Sequence, residues 1–211
     1  MTITTLLFDL DDTLYPADSG LWPEIKSRIG LYMIDRLHIP ADQVPSMRQK
    51  FFEQYGTTLR GLQTHYSFDV LDFLAYVHDV PLTDYIHPNP GLRSVLEALP
   101  ARKFIFTNAD VNHAKRVLRI LDVEDCFAGI VDVIAIEPYC KPMPESFGIA
   151  LKIAGETDPK RCAMLDDLPR TTRAARQQGI FSILCGAAGP HPDADATLTD
   201  WTQLPQLLKD R

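Results

Sequence analysis

Short, continuous apolar runs alternate with helical patterns along most of the chain, and this alternation restricts the possible folds more than any other feature. The runs are Ile3 to Phe8, Phe104 to Phe106, Ile130 to Ile134, Cys162 to Leu165 and Phe181 to Leu184. Uninterrupted runs are typical of strands that are covered on both faces. Helical spacing follows from about Asn112 to Leu121, after Pro144 and from about Pro169 to Gln178. The pattern predicts an α/β fold, in which a parallel sheet has helices on both faces.

One stretch, residues 17–87, departs from the alternation and shows helical spacing only. Its apolar residues recur at steps of three and four. The sets are Trp22, Ile25, Ile29 and Met33; Val44, Met47, Phe51 and Tyr55; and Phe68, Leu71, Leu74 and Val77. Turn-forming residues border the stretch at Pro16 to Gly20 and at Ile86 to Gly91. We therefore predict an all-helical subdomain inserted after the first strand, with 1–16 and 88–211 forming the core and hinges at both borders.

Charge and composition disfavour several classes of partner. The net charge is −7 without a basic run, so nucleic acid is not expected as a main partner. No apolar stretch approaches the roughly 20 residues of a membrane helix, and we expect no secretory signal because the first residues lack a cationic start. The cysteines are scattered without paired spacing, which disfavours a zinc site or disulfides and predicts a cytoplasmic protein. They are Cys126, Cys140, Cys162 and Cys185.

Polar side chains, most of them charged, follow the ends of the apolar runs. Ligands of open parallel sheets bind beyond the carboxyl ends of the strands, so these residues are expected to meet at one edge. They are Asp9, Asp11, Asp12, Thr107, Asn108, Lys141, Asp166 and Asp167.

This set of residue types predicts phosphoryl transfer. Carboxylates crowded at one edge repel one another unless a cation lies between them, and oxygen ligands without imidazole or thiolate favour Mg²⁺. Magnesium and Lys141 would hold an anionic phosphoryl group. Asp9 is the predicted nucleophile, which forms an aspartyl-phosphate. Asp11 is the predicted acid that protonates the leaving alcohol and then activates water.

The four motifs resemble, in order, those of the haloacid dehalogenase superfamily. They are Asp9 to Leu14 (DLDDTL), Thr107-Asn108, Lys141-Pro142 and Asp166-Asp167. The resemblance covers nearly the whole chain and implies a Rossmann-like core with a helical cap between the first two motifs. Within the superfamily the chain looks most like the pyrimidine 5′-nucleotidase branch. That likeness is carried by Tyr55 to Leu62, Phe106 to Asp110, His113-Ala114 and Arg116 to Leu118.

The resemblance implies a role for each residue of the first three motifs. Asp9 would be the nucleophile and a magnesium ligand. Asp11 would be the acid and base, and would bind magnesium through its backbone carbonyl. Thr107 would hydrogen-bond the phosphoryl oxygens with Asn108 beside it, and Lys141 would bridge the nucleophile and the phosphate.

The last motif and the cap complete the implied site. Asp167 would be a direct metal ligand, and Asp166 a ligand directly or through water. Thr171 departs from the family pattern, which often has Asn or Asp there, so weaker contacts around the metal or the lysine are expected. In the cap, Tyr55 and Arg60 are predicted to contact the substrate. The six histidines form no ligand spacing and are interpreted as surface or helix residues, with His65 and His113 as the candidates for substrate-side groups.

The predicted function is magnesium-dependent hydrolysis of a small phosphorylated metabolite, with pyrimidine nucleoside 5′-monophosphates preferred.

A sugar-phosphate phosphatase or a phosphomutase would use the same Asp9 and Asp11 and stays open. A dehalogenase needs neither magnesium nor an acid at the position of Asp11, so the presence of Asp11 disfavours that function. A receiver-like domain would carry its phosphorylated Asp after the third strand and has no place for the helical insertion. The intact Asp9, Asp11, Lys141 and Asp167 disfavour a degenerate phosphate-binding protein. The oligomeric state is left open.

Overall fold

Six parallel strands form one sheet within residues 2–209, the part of the chain that the computed structural model describes. They are β1 (Thr5–Phe8), β2 (Arg102–Phe106), β3 (Gly129–Val131), β4 (Cys162–Asp166), β5 (Phe181–Cys185) and β6 (Ala196–Leu198). Their order across the sheet is β3-β2-β1-β4-β5-β6, and every neighbouring pair is parallel. The predicted α/β fold is confirmed, and β1 lies inside the sheet between β2 and β4.

Successive residues of β1 enter two different apolar cores. Leu6 and Phe8 belong to the larger core and Leu7 to the smaller one, and all three are 0% exposed. Because neighbouring side chains of a strand point to opposite faces, a strand between two cores must be apolar at every position. The continuous run in the sequence therefore follows from the position of β1 in the sheet.

The third strand is shorter than its apolar run predicts. β3 ends at Val131, whereas the run continues to Ile134. The Asp132 carboxylate accepts hydrogen bonds from the backbone N–H groups of Val111 and Ala135 at 2.9 and 2.8 Å. These bonds stabilise a turn that takes the chain out of the sheet, so the prediction of a strand was wrong beyond Val131.

Nine α-helices accompany the sheet in the described residues. They are α1 (Leu21–Asp35), α2 (Val44–Tyr55), α3 (Thr58–His65), α4 (Val70–Val77), α5 (Pro90–Ala98), α6 (Val111–Ile120), α7 (Pro144–Ile153), α8 (Pro169–Gln177) and α9 (Leu204–Lys209). The three core helices expected after β2, β3 and β4 are present as α6, α7 and α8. The Asp110 carboxylate caps α6, and a proline lies in the first turn of α7 and of α8, where its missing N–H costs nothing.

Helices α1 to α4 make up the predicted insertion. Between Phe8 and Arg102 the described chain contains no strand. The sequence predicted three helices and missed α3, whose eight residues are too few for repeated apolar spacing. The division into 17–87 and the two flanking segments stays a prediction. In the described part of the chain, no helix is both long and apolar enough to span a bilayer.

Candidate active site

The carboxyl ends of β1, β2 and β4 lie at one edge of the sheet. Phe8 is in register with Leu165 of β4, and the backbone N–H of Asp9 donates to the carbonyl of Leu165 at 2.9 Å. Asp9, Thr107 and Asp166 therefore emerge side by side, as expected for strands that run in the same direction.

Lys141 joins two of the predicted acids. Its ammonium Nζ lies 2.6 Å from Asp9 Oδ1 and 2.8 Å from Asp166 Oδ2. The second Asp9 oxygen accepts a hydrogen bond from the Thr13 hydroxyl at 3.0 Å. Burial lowers the pKa of Lys141, but the two carboxylates outweigh it and raise the pKa above its ordinary value. The ammonium is therefore charged at neutral pH and fixes the orientation of Asp9.

Asn108 positions Lys141. The Asn108 side-chain oxygen accepts from the Lys141 backbone N–H at 2.9 Å, and its amide nitrogen donates to the Lys141 carbonyl at 3.0 Å. Both ends of the amide are thus engaged by one peptide segment. Asn108 also lines the cavity, so its predicted contact with the substrate, beside that of Thr107, stays a prediction.

The carboxylates of Asp9, Asp166 and Asp167 form a cluster that fits a divalent cation. One oxygen from each lies within 4.8 Å of the other two. Burial raises the pKa of Asp9 to about 7, and burial together with Asp9 and Asp166 raises the pKa of Asp167 to about 8. When all three carboxylates are ionised, the single ammonium leaves two negative charges uncompensated. Mg²⁺ prefers oxygen ligands and carries the charge that balances them.

The Asp11 carboxylate stands apart from this cluster. Its Oδ1 accepts from the Tyr15 hydroxyl at 2.7 Å and lies 2.9 Å from His113 Nε2. The His113 ring stacks on His78 at 4.2 Å, and His78 Nδ1 lies 2.6 Å from Asp110 Oδ2. Burial raises the pKa of Asp11, but His113, His78 and Tyr15 outweigh it and hold the pKa below its usual value. Asp11 therefore has a fixed orientation beside the cluster.

The arrangement of His78, His113 and Tyr15 around Asp11 was not predicted from the sequence. Both histidines are buried, at 8% and 1% exposure. His113 lies within α6, in agreement with the helix interpretation, and His78 is the C-cap of α4. Tyr15 follows Asp11 by four residues and His113 follows Asn108 by five. Their position close to the motifs in the sequence was the signal that could have indicated a role in the site. The contact between Asp11 and His113 forms only when distant parts of the chain come together, so it could not be predicted from the sequence.

Two threonines complete the floor of the site. Thr107 is 1% exposed and its hydroxyl oxygen accepts from the backbone N–H of Ala109 at 3.0 Å. Thr171, where the family pattern often has Asn or Asp, is also 1% exposed. Both line the cavity above the carboxylates. A phosphoryl contact of Thr107 stays a prediction.

A cavity of about 500 Å³ opens over the carboxylates. Helices of the insertion provide much of its wall, which is mainly apolar and aromatic. The apolar lining residues include Trp22, Ile25, Ile29, Phe52, Leu59 and Phe73, and the cationic ones from the insertion are Lys26 and Arg48. A cavity of this size matches the range of small-molecule sites.

Arg60 and Tyr55 do not line this cavity. The Arg60 side chain is 5% exposed, and its guanidinium donates to the backbone carbonyls of Val133 and Tyr139 at 2.6 and 2.7 Å. The Tyr55 hydroxyl is instead 2.8 Å from His65 Nε2. The predicted substrate contacts are therefore corrected: the Arg60 side chain anchors α3 to the loop that leads to Lys141.

Arg60→Met is expected to lower the free energy of unfolding by about 2–4 kcal/mol, because two carbonyls lose their donor. Activity towards a nucleotide and towards phenyl phosphate should fall by the same factor. Urea unfolding and phosphate release measure the two effects. Arg119→Met is the matched control, since the Arg119 side chain is 62% exposed and pairs with Glu124 at the surface. Unchanged stability with a loss confined to the nucleotide would restore the substrate role.

A family model described as haloacid dehalogenase-like hydrolase matches residues 3–179. Phosphate metabolism protein 8 of Saccharomyces cerevisiae is 28% identical over 191 residues, which cover 84% of this chain and 60% of that protein. The chain thus spans less than two thirds of its yeast relative.

Solved structures share the fold at low sequence identity. A HAD phosphatase from Thermococcus onnurineus superposes with a TM-score of 0.65 at 14% identity, covering 99% of this chain and 98% of the other. YfnB of Bacillus subtilis, solved bound to magnesium, has a TM-score of 0.61 at 15% identity, with 99% of each chain covered.

Proposed function

The chain belongs to the haloacid dehalogenase-like hydrolase family, and we propose that it is a magnesium-dependent phosphatase that prefers pyrimidine nucleoside 5′-monophosphates. One observation carries the proposal. A charged lysine orients a buried carboxylate at the floor of a cavity, beside two further carboxylates. Such a group is placed for attack on an anionic phosphoryl group that other positive charges hold.

In the first step an Asp9 oxygen attacks phosphorus, and the bond between phosphorus and the ester oxygen breaks. Because the pKa of Asp11 is held below its usual value, Asp11 has to take up a proton before this step. It then gives that proton to the ester oxygen, which leaves as an alcohol. In the second step Asp11 takes a proton from water while the water oxygen attacks phosphorus. The bond from phosphorus to Asp9 breaks, inorganic phosphate leaves and the free carboxylate returns.

The remaining residues hold charge and geometry. Lys141 orients Asp9. Two of its three N–H donors go to Asp9 and Asp166, which leaves the third for a phosphoryl oxygen. Asp9, Asp166 and Asp167 would hold magnesium, which neutralises charge on the phosphoryl group when bound. Tyr15 and His113 fix the rotamer of Asp11, which keeps the acid aimed at one position during both steps.

The cavity supports a leaving group that is flat and partly apolar. Trp22, Phe52 and Phe73 line it, and aromatic rings stack favourably on a planar base. The preference for uridine and cytidine 5′-monophosphates follows from the resemblance of residues 55–62 and 106–118. A sugar-phosphate phosphatase is the alternative within the same reaction class.

Phosphate release from a panel of phosphomonoesters tests this function. The panel contains the pyrimidine and purine 5′-monophosphates, sugar phosphates and aryl phosphates. We expect turnover with magnesium, loss of turnover on adding a chelator, and the highest kcat/KM for uridine or cytidine 5′-monophosphate. No release from any compound would contradict the phosphatase. An isomerised sugar phosphate with little free phosphate would identify a mutase instead.

A further inference from the structure

The cationic and amide side chains of the cavity differ in how far they are engaged within the protein. The Arg170 guanidinium donates to the backbone carbonyls of Phe52 and Gly56 at 2.9 and 2.7 Å and lies 3.4 Å from the Phe52 ring centroid. The Gln49 amide donates to Glu53 at 2.5 Å. The Arg170 guanidinium is therefore held by the protein, and the Gln49 amide has a partner in the same helix.

Arg48 differs from them. It lies in α2, is half-buried and lines the cavity. Within residues 2–209 its Nε is fully buried without a hydrogen-bond partner, and no carboxylate forms an ion pair with it. Burial lowers the pKa of Arg48, because the charge has lost water without gaining a counter-charge. A guanidinium stays protonated even so, and an unsatisfied buried donor is costly.

We propose that Arg48 binds an oxygen acceptor on the leaving group of the substrate, either the carbonyl edge of a pyrimidine base or a carboxylate. The proposal rests on the phosphatase function above and adds the residue that recognises the leaving group. A planar guanidinium presents several N–H donors in a fixed fork. It can therefore bind two acceptor atoms on one edge of a planar ring.

Lys26 also lines the wall, and its ammonium lies 5.4 Å from the centroid of the Trp22 ring. The apolar residues beside Arg48 explain why its donor is selective. Trp22, Ile25 and Phe73 offer only apolar surface to a ligand, apart from the indole N–H. A leaving group without an acceptor would leave the Arg48 donor unpaired in a closed site. Sites built around such a donor reject analogues that lack the acceptor.

Three substrates and four proteins test the role of Arg48. Uridine 5′-monophosphate offers carbonyl oxygens, 4-carboxyphenyl phosphate offers a carboxylate, and phenyl phosphate offers neither. The proteins are the wild type, Arg48→Met, Arg48→Lys and the control Lys50→Met, which removes an exposed cation from the same helix. The measurement is kcat/KM, with melting temperatures as a check of folding.

We expect Arg48→Met to lower kcat/KM for at least one acceptor-bearing substrate by about 10- to 100-fold, the effect of a lost hydrogen bond to a charged group. The loss on phenyl phosphate should be at least about tenfold smaller. Arg48→Lys should recover more activity on the carboxylate than on the pyrimidine, because it keeps the charge and loses the fork. The melting temperature should be unchanged or higher, since an unpaired charge is removed.

Equal losses on all three substrates would place Arg48 at the phosphoryl group and overturn the proposal, as would no loss on any of them. Binding of the same compounds to Asp9→Asn and to Asp9→Asn/Arg48→Met, measured by calorimetry, separates this inference from the phosphatase function. A wild type without turnover would end the phosphatase proposal. A Kd that rises about tenfold or more only for acceptor-bearing compounds would still support Arg48, and equal Kd values or no binding would refute it.

Discussion

Asp9→Asn is expected to lower kcat for phosphate release by at least about 10,000-fold, because an amide cannot replace the attacking carboxylate. The substitution changes one oxygen to nitrogen and retains the volume of the side chain. Its remaining oxygen can still accept from the Lys141 ammonium, and its amide nitrogen can donate to the Thr13 hydroxyl oxygen, which can also act as an acceptor. The fold should therefore be preserved, and circular dichroism with a melting curve checks it.

Asp18→Asn is the matched control for this experiment. Asp18 is an exposed acid that lies nine residues further along the chain. Its replacement should leave kcat within about twofold, as for a surface change away from the site. Residual activity of the Asp9 variant within about tenfold of the wild type would mean that another group is the nucleophile.

Lys141→Met is expected to lower kcat by about 100- to 1,000-fold, the effect of removing one group that stabilises developing charge. Methionine has similar length but no charge, so it leaves the carboxylates of Asp9 and Asp166 facing each other. In the wild-type protein, one oxygen of each carboxylate lies within 2.8 Å of the Lys141 ammonium. Without it they repel, and Asp9 loses the contact that fixes its orientation.

The same variant should lose stability when no divalent cation is present. Removing one partner of a buried ion pair costs about 3–5 kcal/mol, and magnesium should recover part of the loss because it binds the folded state. Lys152→Met, at an exposed position of α7, is the control. Full activity of Lys141→Met would show that the 2.6 Å contact with Asp9 has no part in the reaction.

The sequence predicted the placement of Asp9, Asp166 and Lys141 because strand order fixes where chain segments emerge. A continuous apolar run indicates a strand, and parallel strands share one edge for the residues that follow them. That reasoning needs no knowledge of side-chain orientation. It succeeded for these three residues and failed for β3, where a single carboxylate, that of Asp132, ends the strand.

The sequence could not predict the direction of a helical side chain. Arg60 lies in a helix of the insertion, as expected for a substrate contact, yet its guanidinium binds carbonyls 73 and 79 residues away. The contact between Asp11 and His113 spans 102 residues. Such contacts are set by how the helices pack on the sheet. The unpaired donor of Arg48, a residue that lines the cavity, was equally unpredictable from the sequence.

Trapping the phosphorylated protein tests the central claim most directly. A single turnover with substrate radiolabelled in its phosphoryl group is stopped with acid at successive times, and the protein is digested with pepsin to locate the label. We predict that label appears on the peptide that contains Asp9 and disappears as free phosphate is released. Label on a peptide without Asp9, or release of phosphate with no labelled peptide at any time, would contradict the account.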